Sequence, residues 1–274
     1  MQQQIKANPY KAIILTALPV EYTAVRIYLD NLQEETHRGT VYERGRYTAS
    51  GQEWEVGIVE IEAGNTSSAF EAERMLNYFR PNVALFVGVA GRIKDIKLGD
   101  VVAATKVYGY ESGKAERTFK PRPDVGESSY ALIQRAKAES RISDWQKRII
   151  DLKSSTMPTA LVGPIAAGEK VVAETRSHTY RFIRNNYNDA LAVEMEGRGF
   201  LKAVHANHPV LALIIRGISD LVNDKEVADA EGWQRIASRH ACAFAFQVLA
   251  KFPGKDKADL IMGDGEPLPT LREL

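Results

Sequence analysis

Four carboxylates stand where apolar runs of this sequence end. Glu21 follows "AIILTAL" (12–18), Glu194 and Glu196 flank Met195 where "LAVEM" (191–195) gives way to a helical pattern, and Asp220 closes "VLALIIRGISD". Taken singly, each has an ordinary structural account, because a Glu in a first helical turn is favoured by the helix dipole and an Asp after a strand caps the next helix. Taken together, acids from three strand ends, beside the glycine-bearing loops "GVAGR" and "AGNTSS", make a chemical set. One carboxylate can accept two hydrogen bonds from a ribose diol, a second can polarise water, and a third, kept protonated by its pocket, can donate to a leaving group. Glycosidic bond cleavage uses that set: a carboxylate stabilises an oxocarbenium-like state while an acid neutralises the departing group, and a nucleobase is such a group.

The elements that must position these acids follow from the hydrophobic pattern. Apolar, β-rich runs at 12–18, 55–61, 83–89, 101–110, 191–195 and 210–218 are bounded by turn or cap residues. Several lead into helix-period segments, namely "VEYTAVRIYLDNL", "SSAFEAERMLNYF" and "EGRGFLKAVHAN", and a last helix is expected over "EGWQRIASRHACAFAFQVLAKF". Continuous apolar strands alternating with helices indicate a three-layer α/β/α fold around a mixed, mostly parallel sheet. Ligands of such sheets bind beyond the carboxyl ends of the strands. From Glu196 to Asp220 there is room for one helix, a turn at "NHP" and one strand, so a βαβ crossover is expected to return the chain to the same edge. Residues 40–54 read as a hairpin turning at "SGQ". Residues 111–159 read as a basic loop followed by a helix over "YALIQRAKAES" and another over "ISDWQKRIIDL".

With 274 residues and 45% hydrophobic content, the chain can bury one large core, read as a single domain over 1–252. The Pro-, Gly- and charge-rich stretch 253–274 reads as a tail of low order or an arm docking on a partner subunit. Lys and Arg total 36 against 35 for Asp and Glu, a net charge of +1 that gives no field to attract a nucleic acid polymer or an anionic membrane. The apolar runs are strand-sized, well short of a bilayer span. The single cysteine, Cys242, cannot form an intrachain disulfide, which suits a reducing compartment; the protein is read as cytoplasmic. The five histidines include no metal-type i, i+4 pair, since His205 and His208 are three apart, and neither a metal nor a cofactor is expected.

At these residues the chain resembles the nucleoside phosphorylase and nucleosidase superfamily, and within it the methylthioadenosine/S-adenosylhomocysteine nucleosidase branch. The resemblance rests on "ILTALPVEYTAV", "FVGVAGRIKDIKLGDVV", "AVEMEG" and "RGISD", in the family's order, and is weak between 111 and 160. It implies that Glu21 activates the attacking water and that Met195 and Glu196 hold the ribose, with Glu196 on the 2' and 3' hydroxyls. Asp220, supported by Ser219, would protonate N7 of a purine; Val89, Ala90 and Gly91 would line the base; and Arg216 would give support from behind. Glu194 falls near the rim without a necessary role. Family members usually form at least dimers, so a homo-oligomer is expected, with the "GNTSSAF" to "MLNYF" face available for it.

Phosphorylases of this superfamily place an arginine near the first strand end to bind phosphate. This chain has acidic Glu21 there, which would repel an anion, and Arg26 lies more than a helical turn further on. Hydrolysis of a purine nucleoside or nucleotide, adenine above all, is the expected reaction. Phosphorolysis is the alternative on the same fold, and a nucleotide-sensing module without turnover is the alternative outside the enzymes. Where the nucleosidases carry "GDAF", this chain has "AGEKVV" (167–172), whose Val171 or Val172 cannot stack on a base as an aromatic would; Glu169 takes the acidic place of that motif, as a contributor or as a solvated loop acid.

Lys114, Arg117, Lys120 and Arg122 fall within nine residues that the resemblance puts near the 5' side of the sugar. Lys120 and Arg122 are candidates to bind a 5' phosphate, and the competing account is a solvated cluster with Glu111 and Glu116. Tyr108 and Tyr110, at the preceding strand end, could face the ligand or pack at the sheet rim.

Overall fold

The computed structural model describes residues 10–150, 157–172, 174–220 and 232–253; all but the first residue of the expected tail lies outside this range. Strand β1 (Tyr10–Thr16) leads into α1 (Pro19–Arg26), and β2 (Asp30–His37), β3 (Thr40–Ala49) and β4 (Gln52–Glu60) follow as a meander before α2 (Asn65–Phe79). Then come β5 (Val83–Arg92), β6 (Val101–Gly109), the short pair β7 (Gly113–Ala115) and β8 (Phe119–Pro121), β9 (Asp124–Glu127) and α3 (Tyr130–Ser140). After a 3-10 turn (Asp144–Arg148) the chain forms β10 (Ala160–Ala167), α4 (His178–Asn186), β11 (Ala192–Glu194), α5 (Gly197–Ala206), β12 (Leu211–Asp220) and α6 (Trp233–Lys251).

The strand order is β11-β10-β6-β12-β5-β1-β4-β3-β2, with β9 beside β6. Because β11 also pairs with β5, the strands β5, β12, β6, β10 and β11 close into a ring at one side of the sheet. Parallel pairs (β4–β1, β1–β5, β5–β12, β6–β10) are joined to antiparallel ones (β12–β6, β11–β5), so the sheet is mixed.

Alternation along the strands creates three layers. In β1, Ala12 and Ile14 pack with Val83, Leu85 and Val87 of β5 and Leu213 and Ile215 of β12 under α1, α3 and α6. Their neighbours Ile13 and Leu15, Ala84 and Phe86, Ala212 and Ile214 face the opposite way, against Met75 and Phe79 of α2 and Phe200 and Val204 of α5. A strand whose two faces are both covered needs apolar residues at every position, which is why these runs are continuous. Helix α6 is buried along "ACAFAFQVLA", including the unpaired Cys242, whose thiol pKa is pushed up by burial. No helix among the described residues is long and apolar enough to cross a membrane.

The expected 40–54 hairpin is present, turning through Ser50 (φ 52) and Gly51 (φ 75), the paired positive φ of a tight two-residue turn. Four expectations need correction. The helix after β1 stops at Arg26, and Asp30–His37 is an edge strand; its polar sequence "DNLQEETH" hides it from a hydrophobic pattern. The basic loop contains the β7–β8 hairpin, and the second helix expected before 159 is only the 3-10 turn within the described residues. Strand β10, "ALVGPIAA", and helix α4 have no counterpart in the pattern reading. Finally, β11 and β12 are not a parallel βαβ pair: β11 is three residues long, crosses the end of β5 antiparallel to it, and is not hydrogen-bonded to β12. Ring closure, rather than a crossover, brings their acids together.

Candidate active site

The carboxyl ends of β1, β5, β11 and β12 surround a cleft of about 240 Å³. Glu21, Val89, Ala90, Gly91, Glu194, Met195, Glu196, Ser219 and Asp220, all expected from the sequence, line it. Arg216 does not line it; its side chain lies beneath, fully buried.

Glu21 sits in the first turn of α1. Its Oε2 accepts hydrogen bonds from the Ala17 (2.8 Å) and Leu18 (3.0 Å) N–H groups, and Oε1 accepts from Val89 N–H (2.8 Å), so one carboxylate caps its own helix and ties β1 to the end of β5. Burial raises its pKa to about 7; Arg216 and the backbone donors pull the other way, and Glu196 adds repulsion. Such a group exchanges a proton near neutral pH, as a general base must.

Arg216 is the hub. Its Nη2 donates to Glu194 in a short contact and to Glu196 Oε2 at 3.2 Å, and its guanidinium lies 4.3 Å from the Phe86 ring centroid. Burial opposes this charge, but Glu194, Glu196 and Glu21 outweigh it and raise the Arg216 pKa. Gly88 makes the approach possible, since a Cβ there would overlap Arg216 Nη1 and come within 2.5 Å of Glu21 Oε1. Glu194 accepts from Glu196 N–H (3.1 Å) and Gly197 N–H (2.9 Å) as well as from Arg216, so it caps α5 and neutralises the buried cation. Burial raises its pKa as well, against the pull of Arg216. Glu196 accepts from Gly64 N–H at 3.3 Å and stands at the cleft wall.

Asp220, at the end of β12, is 5% exposed and accepts from Ser219 Oγ at 3.4 Å. Gly91 leaves it room, because a Cβ there would stand 2.9 Å from Asp220 Oδ1. The opposite wall is the loop after β10, with Lys170, Val171 and Val172; Val171 is 61% exposed. Lys170 pairs with Glu111 at 2.9 Å. Pattern reading missed Lys170 as a lining residue, and also Gln234 at the start of α6, which no local motif announces.

The basic hairpin does not reach this cleft within the chain. Lys120 and Arg122 are not lining residues; Lys120 is 63% exposed along its side chain and, like Lys114, pairs with Glu116 at 2.7 Å. The expectation that Lys120 and Arg122 meet the ligand is corrected to this extent: within one chain both are exposed and neither lines the cleft. Tyr108 turns away to donate to Asp189 at 2.8 Å and packs on Tyr187, while Tyr110 is buried beneath Gly168. Among the described residues no cluster of His, Cys, Asp and Glu could hold a metal ion.

Escherichia coli "ATP nucleosidase Cap17" is 29% identical over 250 residues, covering 80% of this chain and 47% of its own length, so the chain spans about half of that relative. The 5'-methylthioadenosine/S-adenosylhomocysteine nucleosidase of Geobacillus kaustophilus is 23% identical over 252 residues, covering 88% of this chain and 97% of that protein. The solved Streptococcus pneumoniae nucleosidase of the same name, with the transition-state inhibitor MT-ImmA, superposes with a TM-score of 0.70 at 26% identity over 88% of this chain and 98% of that one. The phosphorylase superfamily model matches residues 11–250, from β1 to the last turn of α6, and the chain belongs to that superfamily.

Proposed function

We propose that this protein hydrolyses the N-glycosidic bond of an adenine nucleoside or nucleotide, releasing free base and a ribosyl product. The observation that carries this reading is Glu21: a carboxylate fixed by three backbone N–H groups at the cleft, with a pKa near 7, in the place where an anionic nucleophile would need a cation. Arg216 is bound by Glu194 and Glu196, and Lys170 by Glu111, so the nearby cations are already engaged. The names of the relatives, an ATP nucleosidase and methylthioadenosine/S-adenosylhomocysteine nucleosidases, supply the substrate class.

In this mechanism Asp220 gives a proton to N7 as the C1'–N9 bond breaks and its electron pair moves onto the purine. Glu196 accepts hydrogen bonds from the ribose hydroxyls, and its charge together with that of Glu21 favours the oxocarbenium-like state. Water adds to C1' while Glu21 takes its proton. Met195, Val89, Ala90 and Gly91 enclose the sugar and base, with Ser219 orienting Asp220. Phe70, 63% exposed on α2, and the projecting β7–β8 hairpin are surfaces for a homodimer or higher oligomer, which light scattering on the eluting protein would measure. A lone buried Cys242 suits a reducing compartment, which supports a cytoplasmic location.

The test is to incubate the protein with adenosine, methylthioadenosine, AMP and ATP, each with and without phosphate, and to follow free adenine. Release independent of phosphate is expected. Release only with phosphate would make the protein a phosphorylase, and binding without any release would make it a nucleotide sensor.

A further inference from the structure

We infer that Asn65 is a positioning residue that sets the cleft wall formed by residues 168–172 against the wall that carries Glu196, an inference that rests on the functional reading above. Asn65 is the first residue of α2, 4% exposed, and does not line the cleft. Its amide is fully used. Oδ1 accepts from Gly199 N–H at 3.0 Å in α5; Nδ2 donates to Gly168 O at 3.3 Å and to Glu169 Oε1 at 3.0 Å. The preceding residue, Gly64, donates its N–H to Glu196 Oε1 at 3.3 Å.

Two adjacent residues thus touch both walls: Gly64 the sugar-side carboxylate, Asn65 the loop that presents Lys170, Val171 and Val172. The backbone is built for this contact. Gly64 has φ 108, a conformation that favours glycine, and a Cβ at Gly199 would overlap the Asn65 carbonyl oxygen. Few side chains could replace the asparagine. The site needs an acceptor facing Gly199 and a donor facing Gly168 and Glu169 from one short planar group; Asp lacks the donor, Ser lacks the reach in two directions, and Gln is a methylene too long. Because Glu169 is held by Asn65 on one side and its N–H by Glu111 (2.9 Å) on the other, the loop is anchored immediately before the three residues that enter the cleft.

The test uses the exchange of an amide and a carboxylate. Asn65→Asp keeps the acceptor for Gly199 and sets two carboxylates against each other; adding Glu169→Gln restores an amide to that contact with the roles reversed. Adenine release kinetics, calorimetric binding of adenine and the Tm are measured for the parent, both single variants and the double variant. Asn65→Asp is expected to raise KM and the adenine Kd about tenfold, the worth of one hydrogen bond to a charged group, with kcat within about threefold. The double variant should recover about threefold of that loss in both constants, short of the parent because Gly168 O still lacks its donor, a recovery that a general loss of packing would not show. A double variant no better than Asn65→Asp, or a single variant that loses kcat with KM unchanged, would overturn the inference. A parent that binds adenine but releases none would refute hydrolysis while leaving the Kd series to decide Asn65; a parent that does neither overturns both.

Discussion

Glu21 and Glu194 begin alike. Each is a buried glutamate at the mouth of the same cleft, each accepts N–H groups from the start of a helix, and burial raises the pKa of each. They differ in the third partner. Glu194 meets the Arg216 guanidinium in a short charge pair, whereas Glu21 receives Val89 N–H and feels Arg216 without a hydrogen bond to it. The same capping signature therefore yields one carboxylate tied into a charge pair and one whose remaining contacts are backbone donors at the cleft.

Breaking the Glu21 side should have the largest effect. Glu21→Gln is expected to lower kcat for adenine release about a thousandfold, the scale of a lost general base. It should also flatten the pH dependence of stability. With a folded pKa of about 7 against an ordinary 4.5, Glu21 contributes stability that is fully present below pH 4.5 and lost as pH rises through about 7. That loss, on the order of 3 kcal/mol, is readable by urea unfolding at pH 4.5 and pH 8 and should be missing from the variant. Breaking the Glu194 side should act on the fold first: Glu194→Gln leaves a buried guanidinium short of one counter-charge and is expected to cost about 3 kcal/mol of unfolding free energy at pH 7. The smallest effect is expected outside the comparison. Lys120→Ala with Arg122→Ala should change unfolding free energy by under about 0.5 kcal/mol, as exposed substitutions do. Adenosine cleavage should stay within about twofold of the parent, and a larger fall would place the hairpin at an active site after all.

How much of this was legible depended on where the signal lay. Glu21, Glu196 and Asp220 could be read because each follows a continuous apolar run whose end is marked in the sequence, and strand ends of an α/β sheet share a rim. The topology that unites them could not be read. β11 contributes three residues and crosses β5 antiparallel to it, a closure encoded in non-local pairing that no spacing reveals. Glu194 and Arg216 were visible as residues, but their pairing depends on Gly88 across a neighbouring strand, and nothing near either one announces it. β2 escaped because an exposed edge strand has no apolar face to show. The basic cluster is the opposite case: its composition is conspicuous, but Lys114 and Lys120 share Glu116 and none of its four basic residues lines the cleft.

The β2 edge has one more bearing. Because β11 is tied back onto β5, the eight-residue β2 is the longer open flank of the sheet among the described residues, beside the short β9, and it displays Asp30 and Glu34, while Glu35 is paired with Arg44. A second copy arriving flank to flank would bring like charges together along unpaired backbone groups, an arrangement that resists fibre-like growth. Any contact that would extend the sheet from one copy to the next is thereby disfavoured relative to one made through other faces.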